Sequence, residues 1–282
     1  MKTTIQNQFL RAEIKHKGAE LSSLIKEGKN YIWDIDTQFW DKTSPVLFPI
    51  IGGLKDDTFE FEGQKYQLPR HGFAREMDFE VTEKSENSVV FSLKYSDETL
   101  KIFPFDFELI IGYYLNENSI TIKYSVINHS DKKMYYSIGA HPAFRIDGNF
   151  EDYALKFDDS TSLTTHKLCD NLFSGETVQI DLNDKILPLN YDLFAKDAIV
   201  LKNSTTKSLT ILRDSQPLFK VNFPDFTYLG IWTKKDAPFI CIEPWLGIAD
   251  NHNHSGKIEE KEGIQVLDGK ASAVSEWKVE IF

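Results

Sequence analysis

The run Phe239-Ile240-Cys241-Ile242-Glu243-Pro244-Trp245 sets a single carboxylate inside an apolar stretch. On strand alternation Glu243 shares a face with Phe239 and Cys241, and points into the same space as Trp245. A carboxyl that leaves water has its pKa raised and costs free energy unless a partner or ligand compensates. Glu243 therefore reads as a proton-transfer group; the alternative is a strand-end glutamate reaching solvent, with Pro244 ending the ladder. A second anomaly is His141 in Tyr135-Tyr136-Ser137-Ile138-Gly139-Ala140-His141-Pro142-Ala143-Phe144. It lies on the face of Ser137 and Gly139, whose small side chains leave room beside the imidazole. A histidine titrates near neutrality and can give or take a proton from a ligand. Alone it reads better as a core histidine bonded to a carbonyl; beside a carboxylate in another apolar strand, the catalytic reading becomes the better one.

Pro69-Arg70-His71-Gly72-Phe73-Ala74-Arg75 reads as a functional loop or, equally, as an ordinary surface turn. Its glycine permits tight backbone, and His71, Arg70 and Arg75 can donate to hydroxyls or to a phosphate, arginine in planar, bidentate fashion. Upstream, Leu47 to Lys55 brings two glycines and a lysine, but the spacing matches neither a P-loop nor a dinucleotide fingerprint, so no nucleotide cofactor is expected. His252 and His254 lie two residues apart in an Asn-rich turn with no third and fourth ligand evident nearby, and no metal is expected there. Cys169 and Cys241 form no Cys-x-x-Cys pair and read as two reduced, buried thiols. No Gly-x-Ser-x-Gly elbow is present.

Strands must position these groups, because the dominant period is two. Val89, Phe91, Leu93 and Tyr95 alternate with smaller or polar residues and follow Phe79 and Val81 across a Ser85–Ser88 turn. Phe107 to Tyr114 turns at Asn116-Glu117-Asn118 and returns through Ile120, Ile122, Tyr124 and Val126. Two further hairpins pair Thr58–Glu62 with Lys65–Leu68 and Leu209–Leu212 with Leu218–Phe223, and Trp277, Val279 and Ile281 read as a closing strand. Helix is confined to short possibilities at Thr37–Lys42 and Lys257–Glu262. The expectation is an all-β chain, a large antiparallel β-sandwich with few short helices. No linker or repeat divides it, so residues 1–282 are read as one domain.

The chain has 282 residues, long enough for a large core without disulfides or metals. With 43 acidic against 32 basic residues the net charge is −11, which repels phosphate backbones and anionic lipid headgroups, so neither nucleic acid nor membrane is an expected partner. Met1 to Gly18 is polar, without the apolar region of a signal peptide, and no apolar run approaches the roughly 18 residues of a membrane span. A soluble, cytoplasmic protein is expected.

Taken together, five segments resemble the aldose 1-epimerases, or galactose mutarotase-like proteins, in the wording of the LacX-like branch. They are Pro45–Ile50, His71–Arg75, Gly139–Phe144, Gly230–Trp232 and Cys241–Trp245, in that order along the chain. The resemblance implies a galactose mutarotase-like supersandwich and interconversion of the α and β anomers of a small-molecule sugar, a free aldose or a hexose phosphate, without cofactor. It further implies Glu243 as general base, His141 as general acid, and His71 as a sugar-hydroxyl ligand. Asp197 matches the position of the family's sugar-binding aspartate. Where galactose mutarotases carry an arginine after the first glycines this chain has Gly53 and Lys55, so that either Lys55 substitutes or that hydroxyl contact is missing.

The chemistry agrees with that assignment. Anomer exchange removes a proton from the C1 hydroxyl while protonating the ring oxygen, so one base and one acid must flank the bond that breaks. Trp245, or Trp232 and Tyr228, offer faces for the apolar side of a sugar, though as core aromatics they need no such role. Arg70, Arg75 and Lys55 together would suit the phosphate of a hexose 6-phosphate; alternatively Arg75 braces the His71 loop by ion pairing. A non-catalytic carbohydrate-binding or sensor protein would use the same cleft without proton transfer. A glycoside hydrolase would need two carboxylates about 5–9.5 Å apart, and only one anomalous carboxylate is apparent.

Overall fold

Alternation decides which residues pair. Across the hairpin of strands Phe107–Asn116 and Ser119–Asn128, Leu109 stands opposite Val126, Ile111 opposite Tyr124, Tyr113 opposite Ile122 and Leu115 opposite Ile120. Each pair puts two apolar side chains on the same face, and that face is buried. The other hairpins read from the sequence form likewise, with Glu80–Lys84 against Ser88–Lys94, Thr58–Phe61 against Gln64–Gln67, and Ser208–Arg213 against Gln216–Asn222. The closing strand runs longer than its apolar residues suggested, from Ser272 to Ile281.

The structure, a computed structural model, describes residues 1–282. A nine-stranded antiparallel sheet runs in spatial order Ile186–Pro188, Tyr153–Phe157, Ser208–Arg213, Gln216–Asn222, Ser272–Ile281, Ser119–Asn128, Phe107–Asn116, Ser88–Lys94, Glu80–Lys84. The second large sheet runs Leu172–Asp181, Ser162–Cys169, Ile199–Leu201, Tyr228–Trp232, Phe239–Leu246, Ile138–Ala140, Val46–Leu47, with Ala143–Arg145 also on Phe239–Leu246. A four-stranded sheet from Lys2 to Asn30 adds Ile5, Ala12, Ile14, Leu21 and Leu24 to the common core. Helix amounts to one α-turn, Asp97–Leu100, and five short 3-10 segments, so the fold is an all-β sandwich. Of the two helical possibilities, Lys257–Glu262 contains a 3-10 turn at Ile258–Glu260, whereas Thr37–Lys42 forms no helix: Asp36 and Trp40 bridge and the chain turns there. No helix is long and apolar enough to cross a membrane.

Within the second sheet the strand Phe239–Leu246 is buried on both faces, which explains why it reads as continuously apolar. The outer strands are more open, Ser162–Cys169 in part and Leu172–Asp181 for most of its length, and Cys169 is an exposed thiol, not the buried one expected. Ile240 and Ile242 enter the 62-residue core shared with the nine-stranded sheet. On the opposite face Phe239 and Cys241 join a small cluster with Trp33, Ala143 and Ala237, and Trp245 joins another with Leu47, Val200, Tyr228 and Ala249. Glu243 lies between them, on the face turned away from the main core.

Candidate functional site

Glu243 stands opposite Gly230 in the neighbouring strand, and Trp245 opposite Gly139 on one side and Tyr228 on the other. The glycines make room for the indole. A Cβ at Gly230 would stand 2.5 Å from Trp245 ring carbons, and one at Gly139 would stand 2.7 Å from the same ring. The indole thus lies flat across the sheet beside the carboxylate. A Gly230→Ala substitution is expected to push it out of this bed and cost about 1–3 kcal/mol, the usual penalty of overpacking. Urea denaturation checks this; an unchanged midpoint would mean that the ring has another place to rest.

His141 follows the strand Ile138–Ala140 and brings Nε2 to 3.2 Å from Glu243 Oε2. Glu243 is 2% exposed and His141 9%. Trp40 lies against the imidazole with ring centroids 4.8 Å apart, and Trp232 meets it edge-on at 5.8 Å. In this setting burial pushes the Glu243 carboxyl well above the usual carboxylate range, and the positive charge of Arg70 only partly opposes it. Burial also drives the His141 imidazole down to about 3. Both directions say that the pair holds one proton, resting on the carboxyl side, with no net charge. Its atoms are not fully used. His141 Nδ1 and Trp245 Nε1 are buried without hydrogen-bond partners, the indole N–H lying near the Glu243 carboxyl without full hydrogen-bond geometry. Buried polar groups are normally satisfied, so such orphans mark a place where a polar ligand completes the contacts.

The loop after the strand Gln64–Gln67 brings His71 to the same place. Gly72 allows this, because a Cβ there would fall 2.2 Å from the Phe48 carbonyl oxygen, and its φ is +71°. The Gly52 backbone N–H donates to His71 Nδ1 at 3.1 Å, so that nitrogen is the acceptor and Nε2 carries the proton of the neutral ring. Burial, followed by the nearby His141 and two arginines, holds the His71 pKa well below its ordinary value, so the ring stays neutral. Its centroid lies 5.9 Å from that of His141.

Around these three side chains is a cavity of about 280 Å³, near the lower end of the roughly 300–1,000 Å³ of small-ligand pockets. The structure brings Glu243, His141, His71, Arg70, Arg75, Asp197 and Trp245 to its lining. Arg70 donates to Asn171 Oδ1 at 2.7 Å, and Arg75 donates to the Arg70 carbonyl at 2.9 Å. Arg75 therefore braces the loop through the backbone, not through the ion pair considered as an alternative. Neither guanidinium has a carboxylate within ion-pairing distance, although acidic residues outnumber basic ones in the chain. Asp197 accepts from the Ala198 N–H at 2.7 Å.

Lys55 is the exception. Its ammonium donates to the His254 carbonyl at 3.2 Å and its backbone N–H to Asp250 Oδ2 at 2.9 Å, away from the cavity lining. The left-handed turn at Asp56 and Asp57 that follows belongs to a segment tied to the Asp250–Lys261 pair, so Lys55 braces the rim instead of replacing an arginine. His252 and His254 do not converge on further ligands either; His254 packs 3.9 Å from Asp250, itself paired with Lys261. Tyr228 likewise stays in the apolar cluster beside Trp245 and does not line the cavity.

Residues passed over in the sequence also line the cavity. Trp40 sits in a polar turn with no periodicity to single it out, and Asn171 occupies the hairpin turn between Ser162–Cys169 and Leu172–Asp181. Only the curl of that hairpin carries Leu168, Asn171 and Phe173 over the cavity.

Comparison with known proteins agrees with this architecture. The chain is 36% identical to the plasmid-encoded protein LacX of Lactococcus lactis subsp. lactis, over 93% of each sequence. A galactose mutarotase related enzyme from Lactobacillus acidophilus superposes with a TM-score of 0.93 at 31% identity, covering 100% of this chain and 97% of that one. A galactose mutarotase-like protein from Lactobacillus casei ATCC 334 superposes with a TM-score of 0.93 at 32% identity, covering 100% of both. With the profile described as aldose 1-epimerase matching residues 1–263 in addition, the chain belongs to the aldose 1-epimerase family.

Proposed function

We propose that this protein is a mutarotase, an isomerase that interconverts the anomers of an aldose by acid/base ring opening, with Glu243 as base and His141 as acid. The observation that carries the reading is the 3.2 Å contact between the two groups at the wall of a monosaccharide-sized cavity. The reaction needs one proton on the pair, and burial, which disfavours the carboxylate and the imidazolium alike, supports that state. Sugar hydroxyls donating to Glu243, with the charge of Arg70, favour the carboxylate and leave the proton on His141. Glu243 then takes the C1 hydroxyl proton as His141 protonates the ring oxygen, and the bond between C1 and the ring oxygen breaks. The aldehyde rotates about the C1–C2 bond, and closure on the other face returns both protons. Each positioned group contributes roughly 10²–10⁴-fold, enough for a reaction that already proceeds in water. His71 Nε2–H is suited to donate to a sugar hydroxyl, Asp197 to accept from one, and Trp40 and Trp232 to cover an apolar sugar face. Polarimetry of freshly dissolved α-glucose and α-galactose and of their 6-phosphates tests the reading. Binding without faster decay of rotation would instead make this a sugar-binding protein.

One observation favours a phosphorylated aldose: the two guanidiniums at the cavity without carboxylate partners. Arg75→Ala is expected to raise KM for the 6-phosphate roughly 10- to 100-fold, the value of charge-assisted hydrogen bonds, and for the neutral sugar only slightly. Equal losses on both would mean that Arg75 serves only to hold the Arg70 carbonyl.

A further inference from the structure

We propose that His141, Cys241 and Glu243 form a binding site for a thiophilic divalent cation of the zinc type, and that occupancy of this site switches off the acid/base pair. The activity half of this rests on the mutarotase reading; the binding half does not. Cys241 has no part in the reaction proposed above, yet it is fully buried two residues before Glu243 on the same strand face. Ala143, two residues after His141, pairs with Cys241 across the sheet, and this register brings the imidazole alongside the thiol. One ligand atom from each of the three side chains lies within 4.8 Å of the others, and all three residues are buried.

The spacing fits a small tetrahedral ion. With metal–nitrogen and metal–oxygen bonds of about 2.0–2.2 Å, two ligands on a tetrahedral zinc stand roughly 3.3 Å apart. His141 Nε2 and Glu243 Oε2 already stand 3.2 Å apart. A zinc–sulfur bond of about 2.3 Å asks for roughly 3.6 Å from Sγ to the nitrogen, so the thiol has at most about an ångström to move, within reach of a side-chain adjustment. A mixed thiolate, imidazole and carboxylate set selects zinc, cadmium or cobalt over magnesium and calcium, which prefer oxygen alone. Charge also balances, because the dication replaces the thiol proton and the proton shared by the pair. Two protons leave and a neutral centre stays buried. Three protein ligands leave a fourth position free. With both the carboxylate and the imidazole bound to metal, no group is left to take or give the sugar's proton.

Cobalt(II) titration is the direct test, because thiolate ligation gives a sulfur-to-cobalt charge-transfer band and tetrahedral geometry gives intense visible bands. The wild type should show both at one equivalent per chain, zinc should displace them, and magnesium should not. Cys241→Ala should lose the charge-transfer band and bind zinc more than roughly 10-fold more weakly, since losing even a residue that only supports a metal ligand costs that much. In the mutarotation assay zinc should inhibit the wild type, a chelator should restore it, and Cys241→Ala should keep its basal rate while losing zinc sensitivity. Absence of the charge-transfer band, or a band unchanged in Cys241→Ala, overturns the site; bound zinc without inhibition overturns the switch. If the untreated protein fails to accelerate mutarotation, the functional reading falls while the cobalt spectrum still decides whether the site exists.

Discussion

Glu243→Gln is expected to lower the enzymatic acceleration of mutarotation by roughly 10²–10⁴-fold while leaving the protein folded. The substitution suits the site because the carboxyl is buried and its burial favours the neutral acid. An amide of the same shape replaces a neutral group and leaves no buried charge behind. Its oxygen can still accept from a neighbour, so the cavity keeps its form. It can neither take up nor release a proton under these conditions, and the pair with His141 is left without a partner for transfer. Polarimetry with wild type and variant at equal concentration reads the rate, and binding of the same sugar to the variant shows that the cavity survives. Retention of full acceleration by Glu243→Gln would remove the carboxylate from the mechanism. A parallel loss of sugar binding and thermal stability would make Glu243 a structural group.

The largest effect on stability is expected away from the chemistry, at Lys261→Ala. Lys261 Nζ and Asp250 Oδ1 are 2.6 Å apart, and both side chains are 1% exposed. Burial drives the lysine pKa down while Asp250 pushes it back up. Removing the ammonium leaves a carboxylate in the interior with no cation to compensate it, a change that costs about 3–5 kcal/mol. For a chain of this length that corresponds to a fall in Tm of roughly 5–10 °C. The loss should reach the cavity. Asp250 Oδ2 accepts the Lys55 N–H, its backbone N–H donates to the Gly53 carbonyl, and its carbonyl accepts from the Phe173 N–H. Asp250 thereby fixes Gly52, Phe173 and Ala249 on the cavity lining. Calorimetry of Lys261→Ala, beside an Asp250→Leu/Lys261→Met double variant that replaces both charges with apolar groups, separates the two contributions. The double variant should recover most of the loss. A single variant as stable as wild type would mean that water reaches the freed carboxylate.

Much of the scaffold is written in local pattern. A period of two places Ile120, Ile122, Tyr124 and Val126 on one face, and the short polar turns between strands leave antiparallel pairing as the simple connection, so sheet class and hairpin partners follow from neighbouring residues alone. The anomalies that single out Glu243 and His141 are local as well, since each is a polar group in an apolar run whose burial needs an explanation. What alternation leaves open is which strands far apart in the chain become neighbours. Lys55 illustrates this. Its place after the glycines makes it a candidate for the cavity, yet Asp250, almost two hundred residues later, draws that segment to the rim. Trp40 illustrates the reverse, being placed against His141 by contacts between distant segments and not by any spacing of its own.

The sequence by itself determined the all-β class, the hairpins and the two polar residues in apolar runs that make the candidate acid/base pair, because all three depend on residue type and on neighbours one or two positions away. Only the tertiary structure decided that Glu243 and His141 touch, that two arginines face the cavity without carboxylates, and that Cys241 stands beside the pair. Those facts depend on strand register and loop placement that bring distant segments of the chain together, and these are settled by packing of the whole molecule.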